Sequence, residues 1–179
     1  MKRTFFSLAL LLAVATLTAQ TKMTAREAAV KIADRILAST TYEFKNTKTG
    51  EIYKSVKKLP LDMDVKVACK YNNWHYTNGV TNMALMELGD KLGDKKYEKY
   101  VLKNMNFVFN EGNLDFFRKQ YDEAFKRDGW NAVRKLSWHM IFRGKRLDDN
   151  GPMGASLIEL QLKLSLIHIS EPTRPISIS

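Results

Sequence analysis

The chain has 179 residues, 45% of them hydrophobic and 27% charged, with 29 Lys and Arg against 19 Asp and Glu. This balance excludes a disordered or fibrous chain and points to a single folded domain. The one cysteine, Cys69, excludes an internal disulfide framework and every cysteine-based zinc site.

In chain order, the first segment reads as a secretory signal peptide over residues 1–20. Lys2 and Arg3 form a basic start, Phe5 to Leu17 an apolar core, and Ala19 ends a small-residue stretch suited to cleavage near Gln20 or Thr21. The apolar run is short for a membrane span, and no cysteine follows it for a lipid anchor. The expectation is a periplasmic or secreted protein with no membrane association after cleavage. At the other end, residues 164–179 (LSLIHISEPTRPISIS) lose the amphipathic pattern and resemble a translated sequencing adapter. Genuine protein is then expected over residues 21–163. Losing Lys2 and Arg3 takes the charge from +10 to +8, since Glu171 and Arg174 in the tail cancel. Only His75 and His139 remain in this stretch, which excludes a three-histidine metal site.

Thr24-Ala-Arg-Glu27 is a capping box, and Ala28, Ala29, Ile32, Ile36 and Leu37 follow at helical spacing, so a helix is expected to about Ser39. Tyr42 to Ser55 reads as two short extended pieces about a polar turn ending at Gly50. Lys57 to Lys70, with Pro60, reads as a solvated basic loop. From Thr77 the pattern is helical. Val80, Met83, Ala84, Met86, Leu88 and Leu92 form one expected buried stripe, closed by Gly93. Asp94 caps the next helix, whose face carries Tyr97, Tyr100, Val101, Met105 and Val108. Leu114 to Arg127 continues with Phe116, Phe117, Tyr121 and Phe125, and Gly129 separates a shorter apolar segment, Trp130 to Phe142. After the basic loop Arg143 to Arg146, Leu147 to Gly154 leads into a last helix.

The chain also repeats itself. Asn78 to Leu88 aligns without gaps on Asn150 to Leu160, with Asn, Gly, Leu, Glu and Leu coinciding at an offset of 72 residues. Two helix starts of one design, separated by a helix pair, suggest a helical-hairpin array; chance likeness of two amphipathic helices is the alternative. In both copies polar groups stand before the helix: Trp74-His75-Tyr76 in the first and Asp148-Asp149 in the second.

These two groups are the candidates for chemistry. A carboxylate at a helix start is held ionised by the dipole and free amides; capping explains one Asp, and two exceed what capping requires. Trp74, His75 and Tyr76 offer an aromatic platform with polar tips, suited to a sugar face or equally to packing. His139 lies in an apolar run and reads as a satisfied core histidine. Cys69 has no partner in sequence that would make it a nucleophile.

Taken together, Asn73-Trp-His-Tyr-Thr-Asn-Gly-Val80, the helix pair through Asp94-Lys-Lys-Tyr97, and Arg146-Leu-Asp-Asp-Asn-Gly-Pro-Met-Gly-Ala155 resemble the unsaturated uronyl hydrolases of glycoside hydrolase families 88 and 105. The resemblance is particularly to the unsaturated rhamnogalacturonyl hydrolases, and it covers most of Ala25 to Lys163 in family order and spacing. The resemblance implies an all-α fold, a partial (α/α)6 barrel cut after roughly two helix pairs. It implies hydration of the C4=C5 double bond that a lyase leaves on a terminal uronic acid, with Asp acid/base catalysis and no metal or other cofactor. On the family pattern Tyr76 contacts substrate, beside His75 and Trp74, and the first family aspartate falls on Asp149, or on Asp148 one register away. The principal catalytic Asp belongs to a later W-x-D-like motif that this sequence lacks, so the chain by itself is expected to be inactive. The implied partner is an unsaturated uronic-acid oligosaccharide, with no nucleic acid and no membrane. Two other readings compete: another (α/α)6 enzyme such as a uronate polysaccharide lyase, and a non-catalytic polyanion-binding helical module resting on the +8 charge.

Overall fold

The computed structural model describes residues 23–145 and 147–169, apart from the side chains of Asp149 and of residues 166–169. The expected signal peptide, Arg146 and residues 170–179 lie outside the described residues. Two units meet between Asp34 and Arg35, within the first helix.

In the first unit the capping box of α1 (Ala25–Ser39) forms as expected. The Glu27 amide donates to Thr24 Oγ1 (3.2 Å), and the Thr24 amide donates back to Glu27 Oε2 (2.8 Å). These bonds to its charged form hold the Glu27 carboxyl below its ordinary pKa.

The second unit is mostly helical. A small antiparallel sheet comes first, in the order β2-β1-β3, from β1 (Phe44–Asn46), β2 (Ile52–Tyr53) and β3 (Val65–Val67). Gly50 takes φ +80° in the turn between β1 and β2, where a side chain would be strained. β3 corrects the reading of Lys57 to Lys70 as a solvated loop. Val65 is fully buried, paired with Asn46, and its carbonyl accepts from Gln120 Nε2 at 3.0 Å. The basic residues mask this strand because Val65 and Val67 alternate with Lys66, a half-buried pattern only three residues long.

The helices follow as α2 (Tyr76–Leu92), α3 (Lys96–Val108), α4 (Glu111–Val133), the short α5 (His139–Arg143) and α6 (Leu147–Ile169). α2 stops at Gly93, in the left-handed region at φ +66°. Asp94 Oδ1 accepts the Lys96 amide at 3.0 Å, and Tyr97, Tyr100, Val101, Met105 and Val108 are all buried, as their spacing requires. α4 kinks at Asp128-Gly129, where Gly129 turns to φ +52°. Beyond Val133 the chain makes a turn through Ser137 and Trp138 before α5.

The burial of α2 departs from expectation. Val80 and Met83 are 54% and 41% exposed, while Asn78, Gly79, Asn82, Leu85, Met86 and Gly89 are buried. The reason is the neighbour. α6 lies along α2 in parallel: Trp74 meets Asn150 at the starts, Gly79 meets Pro152 and Met153, and Asp90 pairs with Lys163 toward the ends. A Cβ on Gly79 would stand 2.3 Å from the Pro152 carbonyl carbon. Backbone approach this close selects small residues over large apolar ones, which a hydrophobicity stripe does not register. Contacts one residue off the repeat offset of 72 (79 with 152, 90 with 163) show the two similar segments packed side by side.

Trp138 fills the centre of the other half of the core. It is 1% exposed, its ring lies 4.6 Å from Phe117 and 5.7 Å from Phe107, and Phe107 in turn stacks on Phe44. It does this at φ +56°, the one non-glycine among the described residues in that region. Left-handed backbone costs about 1–2 kcal/mol. Burial of roughly 200 Å² of indole at about 25 cal/mol per Å² offers about 5 kcal/mol, so burial prevails.

The α2–α6 approach yields a direct test. Gly79→Ala must push backbone against backbone and is expected to lower unfolding free energy by about 3 kcal/mol, the upper end for overpacking. Its repeat counterpart Gly151 has open space where a Cβ would stand, so Gly151→Ala should raise stability by up to about 1 kcal/mol through helix propensity. Urea denaturation midpoints of the two variants decide this; similar values for both would contradict the close approach.

Candidate functional site

The expected site residues fall at the N-terminal ends of α2 and α6. Trp74 is buried, packs edge-on against Phe109 at 5.7 Å, and takes its backbone orientation from Asn73 Oδ1, which accepts the Trp74 amide at 3.1 Å. Its indole N–H donates to Asn150 Oδ1 at 2.7 Å. That bond joins the two candidate segments, 76 residues apart in sequence. Trp74 is thus a packing residue and a tether, with little of its face left for a ligand.

His75 caps α2. Its Nδ1 lies 2.9 Å from Thr77 Oγ1 and accepts the Thr77 amide at 3.4 Å, so one ring nitrogen is engaged by the helix start. The imidazole leans on Tyr76 with centroids 4.6 Å apart, and Tyr76, the first residue of α2, is 47% exposed. Of the three, Trp74 is buried while His75 and Tyr76 are exposed.

Asp148 and Asp149 do not stand before α6 as the sequence suggested. The helix begins at Leu147, so both lie in its first turn, and Asp148 is exposed. Pro152 stands inside α6 without ending it. Its missing N–H frees only the Asp148 carbonyl. The Asp149 side chain is outside the described residues.

Other residues separate from this pair of helix starts. His139 is half-buried, its Nδ1 2.7 Å from the Leu136 carbonyl and its ring 5.5 Å from Trp130. Arg143, which the sequence reading passed over, stacks its guanidinium 3.5 Å above Trp130. Cys69 is buried, with its thiol directed at the Ser39 carbonyl at 3.8 Å. Among the described residues no group of three His, Cys, Asp or Glu could hold a metal ion.

A cleft of about 800 Å³ lies elsewhere, between the 61–66 segment and α4, and none of the five expected residues lines it. It holds Asp62, Asp64, Glu123 and Asp128 against Lys66, Arg127 and Lys135. Lys66 donates to the Lys135 carbonyl, and burial pushes its pKa below the ordinary lysine value, with Asp64 opposing the shift. The opposed charges compensate one another, and the cleft's size alone does not make it the reacting site.

Compared with protein-family models, with curated proteins and with solved structures, the chain matches none.

The Trp74–Asn150 bond generates a prediction. In a double-mutant cycle of Trp74→Phe and Asn150→Ala, followed by urea denaturation, the coupling should be about 1 kcal/mol. A coupling near zero would mean that the two helix starts are held together without it.

Proposed function

We propose that this chain is the N-terminal part of an unsaturated uronyl hydrolase of (α/α)6 architecture, acting on lyase-generated pectic or related oligosaccharides. One observation carries the reading: the indole of Trp74 reaches Asn150, so the Trp-His-Tyr and Asp-Asp-Asn segments share one end of a parallel helix pair. The reading also draws support from the repeat. Parallel neighbours separated by one hairpin are what inner helices of such a barrel require, with the cleft formed where those helices begin. Val80 and Met83 of α2 and Ile158 and Leu162 of α6 remain exposed, apolar positions that further hairpins would cover.

The chemistry then assigns roles. The substrate is a terminal uronic acid with a C4=C5 enol ether. A carboxylic acid protonates C4, and a water activated by the carboxylate adds its oxygen to C5. The resulting hemiketal opens and the aglycone leaves as an alcohol. Asp149 assists at the substrate from the first turn of α6, with Asp148 its one-residue alternative. Tyr76 contacts the sugar, and His75 holds the helix start beside it. The principal acid/base Asp would come from a W-x-D-like motif in a following helix pair.

The test uses a chain extended through that motif. There Asp149→Asn should lower the rate of double-bond loss, read from ultraviolet absorbance, by about 10²–10⁴ with little change in melting temperature. Tyr76→Phe should act mainly on KM, since it removes only a hydroxyl. Full turnover in both Asp148→Asn and Asp149→Asn would sink the assignment and leave the pair as helix-start charges only.

A further inference from the structure

A second groove, about 410 Å³, lies among β1, the 3-10 turn Val56–Lys58, the end of α3 and the start of α4. Its volume falls within the roughly 300–1,000 Å³ of small-ligand sites. Its charged lining is Lys54, Lys57 and Lys103, with no carboxylate among the lining residues. In a chain with 19 acidic residues that absence separates this groove from the larger cleft, where four carboxylates offset the cations.

The rest of the lining has the chemistry of a sugar site. Tyr42 forms an aromatic wall held edge-on against Phe107 at 5.5 Å, and Lys103 Nζ sits 4.2 Å from its ring centroid. Burial raises the Tyr42 pKa, so its hydroxyl stays a neutral donor and adds no negative charge. Asn106 and Asn110 bring amides. Asn110 spends its oxygen on the Asn113 amide at 3.2 Å, and its own NH₂ donates to no group among the described residues. Gly112 keeps the wall low, since a Cβ there would stand 3.4 Å from Asn110 Oδ1.

We propose that this groove is a binding site for an anionic oligosaccharide, separate from the reacting end of α2 and α6. The three lysines, on the bend after β2, on the 3-10 turn and on α3, are separate point charges, unlike the fork of a guanidinium. They suit carboxylates spaced along a chain better than one phosphate. Amides serve hydroxyls, and the aromatic wall serves the apolar face of a ring. The choice of a uronate as the anion rests on the function proposed above; the preference for anions does not. In an exported polysaccharide-degrading protein such a groove would retain the polymer beside the reacting end.

The test is binding of trigalacturonate, a saturated oligomer with no double bond, to the 179-residue chain by titration calorimetry in low and moderate salt. Because no turnover is read, failure here leaves the hydration assignment standing, and failure of hydration leaves this site standing. Each of Lys54→Gln, Lys57→Gln and Lys103→Gln should weaken binding roughly two- to fivefold, the range of an exposed ion pair, and the triple variant at least tenfold. Asn106→Asp, a surface change that puts a carboxylate in the groove, should also weaken it. Neutralising Lys91, Lys119 and Lys126, which are exposed, paired with carboxylates and outside the groove lining, should leave affinity unchanged. Affinity should fall with added salt. Unchanged affinity in the triple variant, equal binding of a neutral trisaccharide, or no binding of trigalacturonate would overturn the site. Displacement by equimolar inorganic sulfate would overturn the sugar and leave a plain anion site.

Discussion

The backbone contact between α2 and α6 at Gly79 sets the rest of the structure. With a hydrogen in place of a side chain, the first turns of the two helices approach to the distance at which Gly79 faces the Pro152 carbonyl. Everything at that end is then in register: Trp74 reaches Asn150, and Tyr76 is left half-exposed at the start of α2. Farther along, the same register brings Lys163 to Asp90. Packing this tight is local and steric, so it defines the relative height of the two helix starts far more sharply than a greasy stripe could.

A second device connects the helices to the sheet through polar groups. The turn after α4 places Trp138 in the core, where its indole N–H donates to the Asn72 carbonyl at 2.8 Å. Ser137 Oγ accepts the Val67 amide at 3.1 Å, which ties the edge of β3 to the same turn. Asn78 donates to the carbonyls of Lys70 and Asn73, so the segment leading into α2 is pinned from the helix it precedes. These bonds satisfy backbone groups that irregular chain would otherwise bury unpaired, a cost of roughly 1–3 kcal/mol each. The helix start carrying His75 and Tyr76 is positioned by this network as well as by α6.

Charge is distributed unevenly over this frame. Three exposed helical lysines sit beside a carboxylate one turn away: Lys91 with Glu87, Lys119 with Asp115 and Lys126 with Glu123. Such pairs are worth little to stability and leave little net field. The groove beside Tyr42 gathers lysines without that compensation. The chain's net positive charge therefore has at least one place where it is concentrated rather than spread.

The sequence by itself determined the capping box of α1, the Gly93 stop, the buried face of α3 and the break at Gly129, because each depends on residues within a few positions of one another. It also singled out both halves of the candidate site, since Trp74 to Tyr76 and Asp148 to Asn150 are short, distinctive strings. Tertiary structure decided the remainder. β3 exists because β1 and the side chain of Gln120 supply its partners, from as far as 55 residues away. Val80 and Met83 face outward because α6 demands small residues where hydrophobicity would have placed large ones. Asp148 lies inside a helix turn because α6 starts at Leu147, ahead of the Gly-Pro pair read as its entry. In the first two cases the deciding term was steric approach or a hydrogen-bond partner from a distant segment, and neither is written in the local pattern.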